Sequence, residues 1–112
     1  AVKFQKRDNE AIYTRALLRQ PYEHEHSYGS TYGAHREALE FGAVAYKECY
    51  TVAAAFGLTA FATAFDERSA DFLMDVGSPA LKIASGDLTN TPLLAYVAQL
   101  GVPLIEPLIG LW

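Results

Sequence analysis

Short apolar segments alternate with helical segments along this chain, and that order limits the possible folds more than any other feature. The strand-like runs lie at 1–5, 58–65, 79–85 and 102–105. The segments with helical periodicity lie at 36–56, 66–76 and 91–100. Because the strands are apolar and their connections to the helices are short, we expect parallel strands joined by right-handed crossovers.

Two architectures are built from such alternation, the doubly wound sheet and the (β/α)₈ TIM barrel. No G-x-G-x-x-G or G-x-x-x-x-G-K-[ST] sequence follows a strand, and this absence argues against the common nucleotide-binding sheets. The chain has 112 residues, whereas a complete barrel needs roughly 250. We therefore predict that 1–112 form one α/β domain segment of a TIM barrel, about three βα units plus the start of a further strand.

Local signals predict where the helices begin and end. Asp66 and Thr91 are expected N-caps, and Gly57, Gly77 and Gly101 are expected just after the helix ends.

The remaining segments are less regular. Residues 6–35 are rich in charge, Tyr, His and Gly, and are predicted to form either a long loop or a loop that holds one short helix around 9–19, of the kind that is usually functional. The aromatic stripe from Tyr46 to Phe56 is expected in the core.

Composition excludes several classes of function. Hydrophobic residues make up 51% of the chain and the net charge is −4, which argues against a general nucleic-acid binder. No apolar run reaches membrane-spanning length. A single cysteine, Cys49, fits a reducing compartment. We expect a cytoplasmic protein without membrane or nucleic-acid partners.

A lysine interrupts the buried strand "PALKIASGD" at 79–87. Strand alternation places Leu81 and Ile83 toward the helices and Lys82 toward the opposite face, where Lys3 occupies the matching face of its own strand. If sequential strands pair, the two lysines are roughly 10 Å apart, and the hydroxyl of Thr63 lies between them. Two ammonium groups at such range predict a bound phosphate or carboxylate.

Other interpretations of these residues stay open. Lys82 could reach solvent at a strand end, or act as a Schiff-base lysine. Asp87 suits the hydroxyls of a polyol or amino sugar better than an anion. The "HEH" run at 24–26 could bind a metal, although a polar loop is the simpler interpretation. Cys49 is expected to pack in a helix rather than to act as a nucleophile.

Several motifs match one family in order and at matching spacings. They are "AVKFQK", "RQPYEHEHSYGSTYGAHREALEF", "AFATAFDE" and "ALKIASGDLTNTPLL". Together they resemble the N-terminal barrel domain of sialic acid synthases from residue 1 to about residue 105. The tyrosine-rich loop is most similar to that of the N-acetylneuraminate 9-phosphate synthases, with Tyr28 and Ala34 as departures.

The resemblance implies a condensation of phosphoenolpyruvate with N-acetylmannosamine or its 6-phosphate, with cleavage of the C–O bond of the enol phosphate. It implies that phosphoenolpyruvate is bound by Lys3, Thr63, Lys82 and Ser85. It implies that the sugar is bound by Gln5, Tyr32, His26 and Asp87. A divalent metal, Mn or Mg, and a homodimeric full-length parent are also implied.

The departures from the family define an alternative. The family's metal is held by two histidines on later strands that this chain lacks, so we expect no metal ligands here. The tail at 106–112, "EPLIGLW", departs from the family's sequence, and the chain begins in a strand without Met. The alternative is therefore a truncated, non-catalytic product whose metal ligands and later strands are missing.

Overall fold

The computed structural model describes residues 1–107. The strands are β1 (Val2–Lys6), β2 (Ala60–Ala64), β3 (Leu81–Lys82) and β4 (Leu104–Ile105). The helices are α1 (Asn9–Ile12), α2 (Arg15–Leu18), α3 (Tyr32–Leu39), α4 (Ala43–Ala55), α5 (Glu67–Asp75) and α6 (Thr91–Ala98). A single 3₁₀ turn, Ser85–Asp87, follows β3.

The four strands form one parallel sheet in the order β1-β2-β3-β4. The sequence prediction of an α/β fold with parallel strands is confirmed. The order follows the chain without a reversal, so each crossover returns to the neighbouring position.

The core lies between this sheet and the crossover helices α4, α5 and α6. Its fully buried members include Ala62 and Leu81 from the sheet, Leu73 from α5 and Val97 from α6. Tyr46 of α4 is 1% exposed and packs edge-on against Phe72. Helices α4, α5 and α6 all pack on this one face, and the other face carries the polar side chains of Lys3, Gln5, Thr63 and Lys82 together with Phe61 and Ile105.

Glycine and acidic residues set the helix ends largely as predicted. Gly57, Gly77 and Gly101 all have positive φ, between 69° and 85°, a conformation that is least strained in glycine. Asp66 caps α5 by accepting a hydrogen bond from the Ser69 N–H. The predicted cap at Thr91 is wrong, because the side chain of Asn90 accepts from the Leu93 N–H and Thr91 is already helical.

Four other sequence predictions need correction. The single helix predicted at 36–56 is two helices, α3 and α4, and the short helix near 9–19 is the two single turns α1 and α2. The strand predicted at 79–85 is only Leu81–Lys82. The aromatic stripe is only partly core, since Phe56 is 77% exposed.

Candidate functional site

One row of side chains crosses the polar face of the sheet at a single level. In the strand register, Gln5 pairs with Thr63, Thr63 with Lys82, and Lys82 with Ile105. Residues paired in a parallel register point to the same face. The structure therefore places Lys82, Thr63 and the β1 residues Lys3 and Gln5 on one face, as the sequence predicts.

Lys3 lies on the same face but one level lower. Its register partner is Phe61, two residues before Thr63, which corresponds to about 6.6 Å along the strand. The two lysines are thus separated diagonally across two strands rather than directly side by side. Their long flexible side chains can still converge on one small anion.

Thr63 is the most unusual residue of the row. Its side chain is 1% exposed and its Oγ1 has no hydrogen-bond partner among the described residues. An unpaired buried hydroxyl is unfavourable, and buried polar groups are nearly always paired. An orphaned hydroxyl between Gln5 and Lys82 therefore points to a ligand atom as its partner.

The segment after β3 brings two further predicted residues to the same edge. Ser85 is exposed at the start of the 3₁₀ turn, and Asp87 is half-buried at its end. Asp87 lines a cleft of about 510 Å³ together with Phe65 and Asp66, which follow β2. In parallel βα folds, this carboxyl edge of the strands is where active sites form.

A second pocket, of about 340 Å³, lies along β1. It is lined by residues of β1, α3 and the start of α4, namely Lys3, Phe4, Gln5, Arg7, Arg36, Leu39, Glu40, Phe41 and Tyr46. The hydroxyl of Tyr46 donates to the Gln5 carbonyl at 2.5 Å. That contact fixes the β1 backbone, and burial raises the pKa of Tyr46 far above its usual range.

Tyr32, predicted to contact the sugar, belongs to a cluster beside this pocket. Its hydroxyl accepts a hydrogen bond from Nε of Arg36 at 3.1 Å, and Nη2 of Arg36 donates to the Tyr13 hydroxyl at 3.2 Å. The nearby Tyr13 hydroxyl lowers the pKa of Tyr32, and Arg36 acts in the same direction. The cluster holds the Arg36 guanidinium in a fixed orientation.

The structure does not bring His26 to either pocket. His26 is exposed, and its backbone N–H donates to Nδ1 of His24 at 3.3 Å. His24 packs edge-on against Tyr22, which also contacts His35. Within residues 1–107 no three His, Cys, Asp or Glu side chains come together as a metal site, so the described residues do not supply the ligand set for the metal that the resemblance implies.

Comparison with known proteins decides the family. The sequence model of the NeuB family matches residues 1–107. The chain belongs to the NeuB family. The resemblance to sialic acid synthases is thereby confirmed, and the match covers all the residues that carried it.

Two relatives of this NeuB-family chain carry the name of the same enzyme. It is 42% identical over 104 residues to the N-acetylneuraminate-9-phosphate synthase of Drosophila melanogaster, covering 93% of this chain and 28% of that protein. It is 39% identical to the mouse enzyme of the same name, covering 92% of this chain and 29% of that one. The chain thus spans less than a third of the length of these relatives.

Solved structures agree at the level of the fold. The N-acetylneuraminic acid synthetase of Leptospira borgpetersenii, crystallised in complex with citrate, superposes with a TM-score of 0.71 at 27% identity, covering 95% of this chain and 33% of that one. The α/β fold with a parallel sheet is therefore that of sialic acid synthase structures. No helix formed by residues 1–107 is long and apolar enough to cross a membrane.

Two basic residues that line the pocket beside β1, Arg7 and Arg36, were not identified from the sequence. Arg7 continues the alternation of Lys3 and Gln5 onto the polar face, so the period-two pattern could have identified it. Arg36 carries no such signal, because only the tertiary fold brings α3 to the pocket that β1 also lines.

Proposed function

We propose that this chain is the phosphoenolpyruvate-binding part of a sialic acid synthase, which condenses phosphoenolpyruvate with N-acetylmannosamine 6-phosphate or N-acetylmannosamine. The observation that carries the proposal is the row of Gln5, Thr63 and Lys82 on one face, with the Thr63 hydroxyl buried and unpaired. Family membership and the named relatives support the same reaction class.

The architecture proposed for the complete enzyme is a TIM barrel with this chain as consecutive βα units. The strands are parallel in sequential order, and helices α4, α5 and α6 pack on one face of the sheet. A barrel needs both features, whereas a doubly wound sheet has helices on both faces. The polar row then faces the barrel interior.

Phosphoenolpyruvate carries a phosphate and a carboxylate, and this face offers matching groups. Lys3 and Lys82 are proposed to neutralise the two anionic groups, and the Thr63 hydroxyl to donate to one of their oxygens. Ser85 lies at the carboxyl end of β3, where its hydroxyl can add a further hydrogen bond. Such charge-assisted hydrogen bonds are stronger than neutral ones.

The proposed condensation needs neither an oxidant nor a reductant. Carbon 3 of the enol phosphate forms a bond to the aldehyde carbon of the open-chain sugar, water adds at carbon 2, and inorganic phosphate leaves as the C–O bond breaks. The product is a 2-keto acid. The residues of this chain hold the enol phosphate and orient the acceptor through Gln5 and Asp87, with Tyr32 and His26 as the further sugar contacts implied by the family.

For the whole enzyme, we also propose that it uses a divalent metal, forms a homodimer and is located in the cytoplasm. We do not favour a truncated, non-catalytic product, since Gln5, Thr63 and Lys82 share one face of the sheet, as the binding proposal requires.

The test replaces the matching 104 residues of the Drosophila relative with this chain. Lys82→Met in that hybrid should lower phosphoenolpyruvate-dependent condensation about 100-fold or more, because a charge aimed at the substrate anion is lost. Lys47→Met, on the exposed surface of α4, is the matched control. Near-normal turnover by the Lys82→Met hybrid would contradict the proposal, and trapping by borohydride with a keto acid would favour a Schiff-base lysine instead.

A further inference from the structure

A loop at 21–31 lies between α2 and α3 and folds back onto the start of α3. Its two ends are joined by an antiparallel bridge between Pro21 and Thr31. Within the loop, the hydroxyl of Ser27 donates to the Tyr22 carbonyl at 2.6 Å. The loop is therefore a compact unit that is closed at its base, and it belongs to the segment that leaves β1 at the carboxyl edge of the sheet.

Two adjacent positions of α3 hold the 21–31 loop. A Cβ added at Gly29 would lie 2.6 Å from the Cβ of Ala34, so the loop backbone packs directly against the helix there. Nδ1 of His35 accepts the backbone N–H of Tyr28 at 3.1 Å, and the Tyr28 ring stacks on the imidazole with 5.8 Å between the ring centres. In the described part of the chain, no other α3 side chain forms a hydrogen bond with this loop.

The hydrogen bond between His35 and Tyr28 requires a neutral imidazole. A backbone N–H can only donate, so the ring nitrogen that faces it must carry a lone pair and the ring proton must lie on Nε2. Protonation makes both ring nitrogens donors, and Nδ1–H then points at the Tyr28 N–H. An attraction becomes a repulsion at the contact that joins His35 to the loop backbone. Imidazole side chains ordinarily gain this proton at a pH of about 6.5.

The groups around His35 give an imidazolium no close anion. The rings of Tyr22 and His24 lie 4.5 and 6.4 Å from the imidazole, centre to centre, and no carboxylate forms an ion pair with it among residues 1–107. Arg36, the next residue of α3, adds a positive charge, and the positive end of the helix dipole lies close by. The other charged side chains of the loop, and of α1 and α2 where they pack against α3, are all exposed, namely Glu10, Arg15, Arg19, Glu23, Glu25 and His26.

One interaction acts in the opposite direction. Aromatic ring faces attract cations, and the rings of Tyr22 and Tyr28 both lie against the imidazole. The Tyr28 ring is 70% exposed, and cation–π contacts at exposed sites are weaker than the loss of a hydrogen bond that becomes a repulsion between two donors. Protonation should therefore weaken the closed loop rather than strengthen it.

We propose that His35 holds the 21–31 loop against α3 only while its imidazole is neutral, so that the loop opens as the pH falls into the range where imidazoles gain a proton. The closed loop excludes a proton that the open loop binds, so its stability is full at neutral pH and is lost as the pH falls. Active sites of parallel βα folds form at the carboxyl edge, and opening of the loop therefore links proton concentration to the shape of that edge. This role is independent of the reaction proposed above.

The test measures hydrogen exchange of the Tyr28 amide in the 112-residue chain at pH 5.5 and 7.5, expressed as protection relative to the intrinsic rate at each pH. Protection should fall about 10-fold at pH 5.5, because an imidazole freed from the contact is then about ten times more often protonated than neutral. His35→Asn should give equal protection at both pH values, since its amide oxygen accepts the same N–H without titrating. His26→Asn removes an exposed imidazole that forms no side-chain hydrogen bond within the described residues, and should keep the fall.

Amides of β2 serve as the internal reference, because their protection should be the same at both pH values. Unchanged protection of Tyr28 overturns the proposal, and so does an equal fall in β2, which indicates unfolding of the whole chain. A fall that persists in His35→Asn assigns the effect to another group and also overturns the proposal. If His35→Asn lacks protection at both pH values, an NMR titration of the unsubstituted chain decides, because a shared midpoint for the His35 imidazole and the Tyr28 amide supports the proposal and separate midpoints overturn it.

Discussion

The buried hydroxyl of Thr63 is expected to affect both the stability of the chain and its binding of phosphoenolpyruvate. Its Oγ1 is unpaired within the described structure, so Thr63→Val should raise the unfolding free energy of the ligand-free chain by about 1 kcal/mol. The same change should weaken phosphoenolpyruvate binding, because the ligand loses a donor. Urea unfolding and calorimetric titration measure the two effects.

The exposed Thr89 provides the matched control for that prediction. Thr89→Val should change neither stability nor phosphoenolpyruvate binding appreciably, since surface substitutions are usually small in effect. If Thr63→Val destabilises the ligand-free chain, the hydroxyl has a partner within the protein and the prediction is wrong.

Side-chain placement could be predicted from the sequence wherever strand alternation governs it. Leu81 and Ile83 are buried and Lys82 lies on the other face, as the period of two requires. The level of Lys3 relative to Lys82 could not be predicted, because the register between strands depends on how the crossovers pack. Arg36 was missed for the same reason, since its position depends on packing between distant elements.

At the scale of elements, Asp66 joins the ends of two strands. Its carboxylate accepts from the Ser69 N–H at 2.7 Å, from the Ser69 hydroxyl at 2.8 Å and from the Asp8 N–H at 2.8 Å. Asp8 in turn caps α1 and accepts from Arg68 at 3.0 Å. The two caps therefore fix the loops after β1 and β2 to each other.

Asp66→Ala should consequently lower the unfolding free energy by about 2–3 kcal/mol, more than the loss of an ordinary cap. Asn90→Ala is the control, because Asn90 caps α6 through one hydrogen bond at 3.4 Å, and should cost about 1 kcal/mol. Urea denaturation compares the two variants. Equal losses would show that the contact between the loops contributes nothing.

The break between α3 and α4 shows why the ends of the helices were harder to predict from the sequence than the presence of helices. The 36–56 pattern is helical throughout, yet the backbone is extended at Glu40 and Gly42. Lys6, at the end of β1, donates to the Glu40 carboxylate and, at 2.9 Å, to the Phe41 carbonyl. These tertiary contacts outweigh the helix propensity of the local sequence, which is a weaker effect.

At the scale of the whole molecule, the alternating order of elements was sufficient to predict the parallel sheet, and the family motifs were sufficient to predict the family. The tail prediction at 106–112 falls mostly outside the described residues and stays a prediction. Barrel closure also stays a proposal, because β1 and β4 are the outer strands of the described sheet and closure involves chain beyond them.

The open side of β1 has a consequence for the chain studied alone. A groove of about 380 Å³ beside β1 is lined by apolar residues, among them Val2, Phe4, Val52, Phe56 and Leu58. Outer strands offer unpaired backbone groups to other chains, and apolar surface strengthens such pairing. The isolated 112-residue chain should therefore self-associate as its concentration rises.

Phe56→Glu should reduce that association, because it places a charge where the exposed ring, 77% accessible, would be covered by a second molecule. Sedimentation velocity across a range of concentrations measures the shift toward monomer. Tyr28→Glu, at a ring that is 70% exposed in the loop before α3, adds the same charge away from the groove and should leave association unchanged. A chain that stays monomeric without any substitution would show that the β1 side is already protected in solution, and equal effects of the two variants would assign the change to net charge alone.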